Sequence, residues 1–177
     1  MSARRCLAVV MPALLACGAS LAPAPAAGAA LSRQQKLFAK LIVKDRRTAS
    51  DVRDLLRSGE GFVDDRVIFA DLTGDRRQDA IVSVATGGAA GDIAFYVLST
   101  QGRDAGDEPR AVYRSEGLYR STVRVRKGRL IARVPSYAPT DPLCCPQSIA
   151  ERTLRWDRDA GRFRQIASRE LDGPDQG

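Results

Sequence analysis

Apolar residues recur along this chain with two different periods. Between residues 31 and 58 the spacing is helical. Leu37, Phe38, Leu41 and Ile42 form one stripe, and Arg33, Lys36, Lys40 and Lys44 supply its polar side. Ser32 is placed to cap a helix over residues 31–43. Val52, Leu55 and Leu56 mark a second, shorter helix that Gly59 can close.

From Arg66 onward the period shortens to that of strands. Apolar segments are expected at 67–70, 79–86, 93–99, 111–113, 121–126, 129–134, 153–156 and 163–166. The segment 93–99 is almost continuously apolar and should lie centrally. Lys127-Gly128 between two alternating runs predicts a tight hairpin. In that hairpin Val123, Val125, Leu130, Ala132 and Val134 share one side, with Arg124, Arg126, Arg129 and Arg133 on the other.

The expected class is α+β, with the N-terminal helix or helices packed on a strongly twisted antiparallel meander sheet of about eight strands. The arginines would line the sheet face away from the helix. Such a stripe is either the solvated side of a sheet or a surface facing acidic glycans or lipid headgroups.

Residues 1–30 read as an export signal with an Ala/Pro-rich linker. Arg4 and Arg5 precede an apolar run over 7–15, and Ala27-Gly28-Ala29 offers a small-residue cleavage site. The run is too short to span a bilayer. Leu14-Leu15-Ala16-Cys17 also resembles a lipobox, so the alternative is acylation of Cys17 and a tethered domain. Either route places the protein outside the cytoplasm, with membrane contact only through such an anchor. The domain then covers 31–171, followed by a disordered tail at 172–177.

Charge narrows the partners. The net +7 falls to +5 once Arg4 and Arg5 leave with the leader, and acids and bases are interspersed. An exported chain with 6% aromatics lacks the stacking residues of a nucleic-acid binder, so no nucleic-acid partner is expected. A monomer is expected.

The chain has no histidine, which removes serine–histidine and cysteine–histidine catalysis and every histidine metal site. No nucleophile elbow or phosphate-binding loop is present. No catalytic residue is assigned. After removal of Cys6 and Cys17, the adjacent pair Cys144 and Cys145 remains. A vicinal disulfide, two free thiols and an intermolecular bond all stay open, the first requiring a strained ring.

One loop has the composition of a cation site. Asp71, Thr73, Asp75 and Asp79 would present side-chain oxygens at loop positions one, three, five and nine, and Arg77 its carbonyl at position seven. This spacing resembles the calcium loops of FG-GAP and VCBS repeats, which implies Ca²⁺ as a cofactor. Here Thr73 replaces a carboxylate or amide and Arg76 replaces the turn glycine. The other reading is a polar turn whose carboxylates accept backbone amides and pair with Arg76 and Arg77.

A second loop runs Tyr137-Ala-Pro-Thr-Asp141-Pro142-Leu-Cys144-Cys145-Pro146, ahead of a strand carrying Trp156. With Gly91-Asp92 upstream, this order resembles the actinobacterial LppP/LprE-type exported lipoprotein family, over roughly 67–166. Gln147 stands where that family has serine. The resemblance implies an exported, often tethered domain and supplies no activity. If the Gly87-Gly88 turn and the proline-rich loop meet at one end of the sheet, Gly87, Gly88, Asp92, Tyr137 and Asp141 would mark the ligand end.

The function expected from these residues is a non-catalytic binding domain of the cell envelope or medium, its ligand unidentified. A calcium-stabilised module docking an anionic envelope partner through the basic sheet face is the alternative. A hydrolase without identifiable catalytic residues is the third.

Overall fold

The computed structural model describes residues 32–104, 106–142 and 145–173. The leader, Cys17, Cys144 and residues 174–177 lie outside them, as does most of the expected tail. Among the described residues no helix is long and apolar enough to cross a membrane.

Two helices come first, α1 (Arg33–Lys44) and α2 (Ser50–Ser58). Ser32 caps α1 in a capping box with Gln35, and Gly59 ends α2 in the left-handed region. Phe38, Leu41 and Ile42 are buried, while Leu37 turns outward at 45% exposure. Nine strands follow among the described residues: β1 (Gly61–Val63), β2 (Ile68–Ala70), β3 (Asp79–Thr86), β4 (Asp92–Ser99), β5 (Arg110–Ser115), β6 (Thr122–Arg126), β7 (Arg129–Ser136), β8 (Ser148–Asp157) and β9 (Arg162–Asp172).

All pairing is antiparallel, as expected, but the strands form two sheets rather than one. The first runs β1-β3-β4-β5, with β2 beside β1 on the same edge of β3. The second is the meander β6-β7-β8-β9. Apolar character explains the split. β3 and β4 are buried on both faces, so each face needs its own cover.

Ala80, Val82, Val84, Ala94, Tyr96 and Leu98 face α1 and α2. Ile81, Phe95 and Val97 face Leu130, Ala132, Leu154, Trp156 and Phe163 of the second sheet. The order of layers is helices, five-stranded sheet, four-stranded sheet. β6 and residues 154–157 of β8 alternate because only their inner face is covered.

Two expectations needed revision. β1 is not among the expected strands, because three residues give too little alternation to recognise. β8 and β9 are also longer than expected, and β9 continues to Asp172, the first residue assigned to the tail. The outer half of β9 is largely polar and exposed, and its ladder to the half-buried start of β8, from Arg152–Ser168 to Ser148–Asp172, sustains it.

Candidate functional site

The aspartate loop joins β2 to β3. Asp71 accepts the backbone N–H groups of Gly74 at 2.6 Å and Arg76 at 3.0 Å. Asp79, 1% exposed, accepts those of Leu72 at 2.8 Å and Thr73 at 2.9 Å, with the Thr73 hydroxyl nearby. Asp75 accepts from the Arg77 amide and pairs with its guanidinium at 3.0 Å. Each carboxylate therefore holds its own part of the turn. Among the described residues, no group of three or more acidic or cysteine side chains is gathered as a metal centre would need.

The loop's arginines act as fasteners. Arg77 reaches the carbonyls of Thr100 and Arg103, both at 3.1 Å. Arg76 takes the left-handed conformation expected of the glycine it replaces, at φ 66°. Gly74, at φ 75°, offers its carbonyl to Arg158 at 3.0 Å. The loop is thus tied to both sheets.

The residues expected at a ligand end are linked by residues 117–121. Leu118 and Ser121 donate backbone N–H groups to Ile93 and Asp92, and Arg120 donates to Ala90. Gly91 beside this segment takes the left-handed conformation that favours glycine, at φ 58°. Tyr119 meets Tyr137 edge to face at 5.3 Å. Asp141 folds the proline-rich loop onto itself by accepting from the Ala138 and Gln147 amides. Gly87 and Gly88 are exposed at the turn tip. Cys145 is disulfide-bonded, and Cys144 lies outside the described residues.

Behind this end lies a cavity of about 220 Å³ lined by Asp64, Arg66, Ser83, Asp92 and Thr122, among others. Asp64 sits where the edge of the first sheet breaks between β1 and β2. Its bond to Arg66, 2.6 Å at the shortest, draws its pKa down to about 2. Burial, and then the negative charge of Asp64, push Asp92 above the ordinary aspartate value, while Ser83 holds it by a hydrogen bond. The ion pair makes Asp64 a structural group, so the cleft does not present two unpaired carboxylates as a hydrolase reading would require.

The outer face of the four-stranded sheet carries a dense set of arginines. With Val123, Val125, Leu130, Ala132, Leu154, Trp156 and Phe163 turned inward, alternation sends Arg124, Arg126, Arg129, Arg133, Arg155 and Arg164 outward. Glu151 stands among them at 5% exposure. Arg133 lies 2.7 Å from it, Arg169 2.6 Å and Arg124 3.2 Å. The Arg133 hydrogen bond, reinforced by Arg169, holds the Glu151 carboxyl below the usual glutamate range against the opposing effect of burial.

Sequence reading placed the β6–β7 arginines on this face. It missed Arg155, Arg164 and the role of Glu151, because nothing local sets how β8 lies against β7. Alternation around Trp156 and Phe163 was the available signal.

Comparison of the chain with protein-family models, curated proteins and solved structures found no match.

Proposed function

We propose that this protein is a non-catalytic binding domain acting outside the cytoplasm, and that it docks an anionic envelope partner through the outer face of its four-stranded sheet. The observation carrying this reading is the concentration of arginines there, with Glu151 and Asp157 as the acids facing them. Guanidinium groups on a flat, rigid sheet suit carboxylate or phosphate groups of a polymer.

Export is supported by the leader's composition. The resemblance of the proline-rich loop to LppP/LprE-type proteins points the same way and permits a lipid tether at Cys17.

The test is retention of the purified chain on a polyanion-bearing matrix, with elution by salt. The double variant Arg126→Glu/Arg155→Glu should lose retention. Lys36→Glu/Lys40→Glu, with the same net charge change on α1, should keep it. Equal loss in both would reduce the effect to net charge and remove the reading.

A further inference from the structure

Strand register arranges four of the outer-face arginines in a straight row across the sheet. Arg126 pairs with Arg129 across the β6–β7 ladder, and Arg155 with Arg164 across the β8–β9 ladder. One step beyond the Leu130–Leu154 pair sets Arg129 alongside Arg155. Each strand thus contributes one arginine, at intervals of roughly 4.8 Å, and the row spans about 14 Å.

All four side chains are exposed. Of these four, Arg164 alone has an ion-pair partner among the described residues, Asp157 at 2.9 Å.

Like charges directly opposite one another destabilise a sheet, so the row is unfavourable to the isolated domain. Protection of a bare sheet edge does not account for it. Edge charges belong on edge strands, whereas Arg129 and Arg155 occupy the two central strands. The next row along the strands contains Arg124, Ile131, Thr153 and Ala167, and in the row beyond it Arg133 and Arg169 flank Glu151, which also pairs with Arg124, so the arginines without an acid partner lie in the one row.

Resting on the docking function above, we infer that the row Arg126–Arg129–Arg155–Arg164 binds a linear polysaccharide carrying one carboxylate per sugar, laid perpendicular to the strands. Such a chain advances per sugar by roughly the strand spacing while its carboxylates point to different sides of its axis, and the long, exposed arginine side chains can bend to either side of the line to meet them in paired hydrogen bonds, Arg164 exchanging Asp157 for the anion. A membrane surface fits less well. Surface-binding elements insert aromatic or leucine side chains beside their charges, and the row itself contains none. A nucleic acid would call for stacking aromatics, which this face also lacks.

The experiment measures binding of defined-length oligogalacturonates to the full chain, with anionic phospholipid vesicles and dextran sulfate as separate probes. Affinity should rise with each added sugar up to about four and then level off, following the row. Arg129→Gln and Arg155→Gln should each weaken the tetramer about five- to tenfold. Both variants should melt at or above the wild-type temperature, since a like-charge contact is relieved. Arg33→Gln should change neither quantity.

Length-independent binding, or tighter binding to vesicles than to the tetramer, would overturn the inference while leaving the docking function in place. Failure to bind any of the three probes would remove both.

Discussion

Tyr96 and Glu116 share a hydrogen bond of 2.5 Å beneath the start of α2. Ala49, the N-cap residue of α2, has no capping side chain, and Glu116 Oε1 accepts the Ala49 N–H at 3.0 Å. A carboxylate from the segment after β5 thereby sets negative charge against the helix's positive end. Tyr96 itself has no solvent exposure and carries the first sheet's core into this contact.

Removing either partner should loosen helix and sheet together. Tyr96→Phe and Glu116→Ala should each lower stability by about 1–2 kcal/mol. Denaturant melts of the double variant should show less than the sum, because the two side chains share one bond. Burial first, then Glu116, raises the Tyr96 hydroxyl above the ordinary phenol range. A raised pKa stabilises the neutral form, so this contribution is complete below about pH 10 and is lost as pH rises further. The wild type should therefore lose stability in alkali more steeply than Tyr96→Phe.

The arginine cluster around Glu151 should act in the opposite pH direction. Its lowered pKa stabilises the ionised form, a contribution present above the unfolded glutamate value and lost as pH falls through the acid range. Glu151→Gln should flatten the loss of melting temperature below about pH 4.5. At pH 7 it should cost about 1 kcal/mol, toward the low end because the three arginines reach solvent.

In the aspartate loop, Asp79→Asn should cost about 1 kcal/mol, since one amide oxygen can still accept both N–H groups that share Oδ2 but without the carboxylate's charge. With each carboxylate engaged by backbone amides or by Arg77, millimolar Ca²⁺ should give no calorimetric heat and no shift in melting temperature. A rise of several degrees would show that the three aspartates can rearrange around a cation.

The same loop offers a test of sheet–sheet fastening. Gly74→Ala should cost about 1–2 kcal/mol from its left-handed backbone, because an added Cβ would also meet Arg158 Nη2 at 2.2 Å. Arg158→Ala alone should cost about 0.5–1 kcal/mol. In the double variant the clash is absent, so its loss should fall short of the two single losses combined.

The local elements were legible in the sequence because their causes are local. Ser32 and Gln35 are three residues apart, Lys127-Gly128 takes two consecutive positive φ values of 51° and 65°, and 93–99 is apolar without interruption. Period, cap and turn chemistry act over a few neighbours, so helix, hairpin and central strand followed directly. The turn-forming hydrogen bonds of Asp71 and Asp75 were readable for the same reason.

Tertiary structure alone decided that the strands divide into two sheets, because continuous burial of β3 and β4 does not say what covers each face. It also decided the register of β7 on β8, which crosses the poorly patterned connection through the proline-rich loop. That register sets Glu151 between Arg133 and Arg169, and brings Arg129 alongside Arg155. Pairing across a long connection depends on how whole apolar faces fit together, and no short stretch of sequence encodes it.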